Sequence, residues 1–141
     1  MQEMFQRDGI RFQYPGDWQL ESETEGDGWT ASLQSTGTAF LVVSYVPGID
    51  DPSELVGAAI EGLTAEYPKL DTEEVMDTLA GHPAVGADVN FVHLDLTNTC
   101  WVRAAPAGDG SLLVMAQCCD EEIDQFGPIL KAIVGSVAVD E

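Results

Sequence analysis

Only two stretches of this 141-residue sequence, residues 51–67 and 120–137, repeat apolar residues at helical spacing. Before and between them the apolar residues alternate with period two. This order of strands, a helix, four more strands and a closing helix predicts an α+β fold: an antiparallel β-sheet with helices packed on it.

The first helix has a strong start signal. Asp51 suits the N-cap, Pro52 fills the first helical position where its missing N–H is harmless, and Glu54 can reach back to the cap. Val56, Ala59, Ile60, Leu63 and Tyr67 then share one face, and Pro68 is expected to end the helix. In the closing segment, Ile123, Phe126, Leu130, Ile133, Val134 and Val137 form the stripe. Acids gather at its positive N-terminal end, and Pro128 is expected to kink or delay it.

The strands are read from turns and alternation. Asp8-Gly9 is a favoured two-residue hairpin turn, which pairs Arg7 with Ile10 and Phe5 with Phe12. Pro15-Gly16-Asp17 ends the hairpin and Trp18 follows as an aromatic anchor. Glu21, Glu23, Glu25 and Asp27 are read as an acidic loop. Trp29, Ala31 and Leu33 form one buried strand face, whereas Thr38 to Val46 is apolar at both parities and is expected to be central, covered on both sides. Leu70 to Ala80 reads as a polar, edge-like strand with Val75 and Leu79 inward, turning at Gly81-His82-Pro83. Val85, Ala87, Val89 and Phe91 alternate next. Asp95 to Thr99 is read as a turn into a strand at Cys100 to Ala104, and Pro106 to Gly110 as a turn into Leu112 to Ala116.

Three blocks of this pattern resemble a known group. Gly9-Ile10-Arg11-Phe12-Gln13-Tyr14-Pro15-Gly16-Asp17-Trp18, Leu79-Ala80-Gly81-His82-Pro83-Ala84 and the closing Phe126 to Val137 are similar to the PsbP-like superfamily. That group includes the extrinsic photosystem II subunit and the Mog-type Ran-binding factor. The resemblance spans nearly the whole chain and implies a single PsbP-like domain over residues 1–141, an α-β-α sandwich around an antiparallel sheet. It also implies action by binding other proteins rather than by catalysis. The matching residues are fold-forming, so no functional residue transfers with them.

Composition restricts the partners. Twenty-five Asp and Glu against five Lys and Arg leave a formal charge of −20, which repels nucleic acid and anionic lipid. This charge reads as a solubility or high-salt adaptation, or as a docking surface for a basic protein. No segment is apolar for long enough to span a bilayer, and the N-terminus lacks a basic start followed by an apolar run. Three cysteines, an odd count with Cys118 and Cys119 adjacent, fit a reduced, cytoplasmic protein better than a disulfide framework.

Candidate chemistry is sparse. Cys100, Cys118, Cys119, His82 and His93 lack metal-ligand spacing, the acidic runs lack a calcium loop, and the glycines form neither a phosphate loop nor a dinucleotide fingerprint. No metal, cofactor or catalytic residue is therefore assigned. One enzymatic alternative pairs Cys100 with His93: a two-residue loop at Leu96-Thr97 would set them opposite each other, a thiolate beside its base. The candidate binding residues are Trp101 and Arg103, two apart on one strand face, and Trp29. The expected function is a non-enzymatic, adaptor-like role with another protein as partner; an apolar ligand carrier is a further alternative. The oligomeric state stays open.

Overall fold

The computed structural model describes residues 2–67 and 69–140. Pro68, the expected helix terminator, lies outside them. The chain opens with β1 (Gln2–Arg7) and β2 (Ile10–Pro15), joined by Asp8 and Gly9 at φ 52° and 79°. Positive φ at both turn residues matches the twist of the hairpin, and the predicted register holds: Arg7 faces Ile10 and Phe5 faces Phe12. Phe5 and Phe12 stack with centroids 5.0 Å apart.

The hairpin builds its own small sheet, β1-β2-β10, by pairing Ile10 and Arg11 with β10 (Ala138–Val139) at the far end of the sequence. The remaining strands are β3 (Gln19–Glu25), β4 (Gly28–Gln34), β5 (Phe40–Pro47), β6 (Leu70–Leu79), β7 (His82–His93), β8 (Leu96–Ala107) and β9 (Gly110–Cys119). They form one antiparallel sheet in the order β3-β4-β5-β9-β8-β7-β6.

Two turns sit earlier than the sequence predicts. Ala80 and Gly81 make the β6–β7 turn at φ 55° and 81°, so His82 already belongs to β7. Leu94 and Asp95 make the β7–β8 turn at φ 52° and 63°, and Leu96 starts β8. The acidic segment read as a loop is instead strand β3, paired along its whole length with β4.

Two helices complete the layers. In α1 (Pro52–Glu66) Asp51 caps the helix by accepting from the Ser53 N–H at 3.0 Å, and the Ser53 hydroxyl, not Glu54, closes the cap at 2.7 Å. Its face of Val56, Ala59, Ile60 and Leu63 covers Val89, Phe91, Cys100 and Val102. A short 3-10 turn at residues 120–122 starts the helical path that α2 (Ile123–Ser136) continues through Pro128. The helix is thus not delayed to Pro128; the ring removes one backbone hydrogen bond instead. Phe126, Leu130 and Ile133 pack on Trp18, Leu41 and Val114, together with Ile10 and Phe12 of the small sheet. Ser136 ties the end of α2 to β2 by accepting from the Gln13 N–H at 2.9 Å.

Successive strand residues point to opposite faces, so α1 and α2 lie on opposite sides of the main sheet. The cover is staggered. On β5, Leu41 and Val43 are fully buried on the α2 side, while Phe40 and Val42 on the α1 side are only half-buried. The expected cover of β5 on both sides is therefore incomplete.

Candidate functional site

β8 presents Trp101 and Arg103 on one face, as their spacing predicts, but Arg103 is committed within the sheet. Its Nε donates to Asp77 Oδ2 on β6 at 2.8 Å, and Nη1 lies 2.9 Å from Asp88 Oδ1 on β7. The second contact is an ion pair without hydrogen-bond alignment; Nη1 donates instead to the Val102 carbonyl at 2.9 Å. Gly86, the cross-strand neighbour of Arg103, makes this crossing possible, since a Cβ there would sit 2.9 Å from the Arg103 Cδ. The arginine side chain is 13% exposed and, from β8, staples the edge strand β6 and the intervening β7 together. Trp101 keeps a half-buried ring at the margin of the α2-side core.

Trp29 is a correction to the sequence reading. It is 1% exposed because β4 turns it beneath the small sheet, against Phe5 at 5.1 Å and Tyr45 at 6.4 Å between centroids. In this fold it gives a partner no surface.

The hydrogen bond from Arg103 holds the Asp77 carboxyl below its ordinary value of 3.8, helped by the Thr78 N–H. A carboxyl with a depressed folded-state pKa adds stability above its unfolded pKa and loses that stability as pH falls through the folded one. Arg103→Gln is therefore expected to flatten the acid limb of the stability curve below about pH 4. An NMR titration should show the Asp77 carboxyl returning toward its ordinary value; an unchanged titration would refute the link.

The proposed Cys100–His93 pair does not form. With the turn at Leu94-Asp95, His93 faces Leu96 while Cys100 faces Val89. His93 meets the Tyr67 ring edge-on at 5.2 Å. Burial and the Asp88 charge push the Cys100 thiol up to about 12, so a thiolate is scarce at neutral pH. Cys118 is likewise raised to about 11, by burial and then by neighbouring anionic groups. All three cysteines are buried and unpaired. Iodoacetamide is expected to leave native Cys100 unmodified at pH 8 while labelling every thiol in denaturant, read by intact-mass spectrometry; rapid native labelling of Cys100 would contradict this. Among the described residues no cluster of three His, Cys, Asp or Glu could hold a metal. No helix among them is long and apolar enough to cross a membrane.

The sequence did not reveal the groove beside α1. Val56 and Ile60 form one wall, Thr72, Glu74 and Met76 the other, with Val85 and Ala87 among the lining, around about 610 Å³. Met76 stands 78% exposed at the rim. The available signal was a methionine among the acids of a polar edge strand, since a thioether adapts to irregular apolar contacts. Strand β6 pairs with β7 on one side and with no described strand on the other.

No family model matches the sequence, and no curated protein matches it significantly. Solved structures do match. Cyanobacterial PsbP (CyanoP) from Synechocystis is 12% identical, with a TM-score of 0.66 over 99% of this chain and 92% of that one. The chain has the PsbP-like fold. LpqN of Mycobacterium tuberculosis, described as involved in cell envelope biogenesis, shares the PsbP-like fold at 15% identity and a TM-score of 0.56, covering 99% of this chain and 92% of its own. PA94 of Pseudomonas aeruginosa, a protein of unknown function, matches at 15% identity and 0.53 over 92% and 91% of the two chains. At these identities the PsbP-like fold is what the structures have in common.

Proposed function

We propose that this chain is a non-catalytic, adaptor-like protein that binds another protein through the surface formed by β6 and the groove beside α1. The observation that carries this reading is the groove itself: its lining is mostly apolar, a highly exposed methionine stands at its rim, and a strand edge with no described partner runs alongside. Apolar surface of this kind, rimmed by polar residues, marks interaction sites. The resemblance to a superfamily whose better-known members bind proteins supports the same reading. We also propose a cytoplasmic location, supported by three unpaired cysteines.

A photo-crosslinking residue at Met76, compared with one at exposed Asp17, tests the role in cells of the source organism. A discrete protein adduct from position 76 alone is expected. Equal, diffuse adducts from both positions would overturn the reading. The groove volume also falls within the range of small-ligand sites, which favours an apolar ligand carrier as the second reading. Native mass spectrometry of the purified chain would then show a retained small molecule.

A further inference from the structure

We infer that β6 accepts an extended, basic segment of a partner protein as an eighth strand of the main sheet; the inference rests on the binding role proposed above. An edge strand offers unpaired backbone N–H and C=O groups, and recognition by strand addition draws its affinity from them and its specificity from alternate side chains.

The register of β6 says what those side chains should be. Asp71, Glu73, Val75 and Asp77 face the same side of the sheet as Arg103, whereas Thr72, Glu74 and Met76 face α1. Asp77 is already held by Arg103, which leaves Asp71 and Glu73, both exposed, to meet an incoming strand on that side. They call for Lys or Arg at alternate positions. On the α1 side the groove and Met76 call for apolar residues, with room for long side chains. The fitting occupant therefore carries basic residues opposite Asp71 and Glu73 and apolar residues where it meets Met76 and the groove, and alternation of the two is its simplest form.

Charge excludes two other occupants. A second copy of this chain pairing edge to edge would set Asp71, Glu73, Glu74 and Asp77 against their own kind, and nucleic acid would meet the same repulsion. The opposite edge of the sheet differs: a smaller pocket of about 330 Å³ adjoins it at Gln19 and Glu21, but no large apolar side chain of β3 stands exposed there as Met76 does on β6. On β3, Glu21, Glu23 and Glu25 all share one face, and Arg7 of the small sheet reaches across to donate to Thr24 Oγ1 at 2.9 Å. The two edges thus differ in what they offer: β6 combines exposed acids with an exposed methionine at the rim of the larger groove.

The test uses the full chain and a fluorescent ten-residue peptide alternating Lys and Val, the length of β6, followed by anisotropy. Binding is expected at about 50 mM salt, weakening at about 150 mM because exposed charges are screened. A Glu–Val peptide is expected not to bind. Amide resonances of β6 should shift in an NMR titration, and N-methylation of alternate peptide residues should weaken binding at least about tenfold, because it removes ladder donors. The double variant Asp71→Lys with Glu73→Lys, both at exposed positions, should weaken binding by a similar factor. Unchanged binding of the N-methylated peptide would overturn strand addition, and unchanged binding of the double variant would overturn the charge reading. If the Lys–Val peptide fails to bind while position 76 still captures a discrete partner, the binding role stands and the eighth strand falls. If both fail, both fall.

Discussion

Trp29→Ala is expected to lower stability by about 4 kcal/mol, the scale for removing a large aromatic side chain from a core, and Tm by roughly 12–16 °C. Trp29 is 1% exposed and joins the two sheets: its ring lies between Phe5 of β1 and Tyr45 of β5. Its truncation would leave a cavity where the hairpin sits on the main sheet. The indole N–H is buried without a hydrogen-bond partner, so Trp29→Phe, which deletes that unsatisfied donor, should be far milder at about 1 kcal/mol. Urea denaturation of the two variants measures the contrast. A loss below about 1 kcal/mol for Trp29→Ala would mean that the hairpin adds little to the core.

Gly86→Ala is the second large effect, at about 3 kcal/mol. A Cβ at position 86 would lie 2.1 Å from the Val102 carbonyl oxygen, a backbone atom that cannot rotate away. Strand β7 or β8 must shift, and with it Arg103, whose Cδ would sit 2.9 Å from the new methyl. Two readouts are therefore expected together: a lower thermal midpoint, and a rise of the Asp77 carboxyl toward its ordinary value. A destabilised variant with Asp77 unchanged would separate the backbone clash from the arginine staple and show that Gly86 does not set the path of Arg103.

The sequence disclosed most where a local rule acts alone. Asp8-Gly9 has one favoured geometry and so determined the register of β1 and β2. Asp51-Pro52 located the start of α1 to the residue. It disclosed least where tertiary contacts overrode local preference. Leu94 adopts φ 52° and stands 81% exposed in a turn without glycine, a conformation that leucine seldom takes. Placing that turn two residues too late produced the false Cys100–His93 pair. Strand β3 has no buried alternation of its own and is a strand because β4 supplies its ladder. Arg103 was visible as a charge beside Trp101, but Asp77 and Asp88 arrive from two other strands, and no pattern in the sequence announced that meeting. The groove arises the same way, from where α1 comes to rest over β7.

The pairing of β2 with β10 has a consequence for how this chain is made. Arg11 of β2 and Asp140, just past the end of β10, are ion-paired and lie 129 residues apart in sequence, and contacts of such separation form late because the intervening loop must close first. During synthesis of this domain the hairpin emerges before α2, so the outer edge of β2 and the apolar faces of Phe5 and Phe12 must wait for α2 and residues 138–139. Until residues 138–139 arrive, that edge is an open pairing site on a nascent chain. The step that shields it is the arrival of residues 138–139, which makes closure of the small sheet, rather than emergence of the first strands, the moment at which this domain becomes safe from its own neighbours.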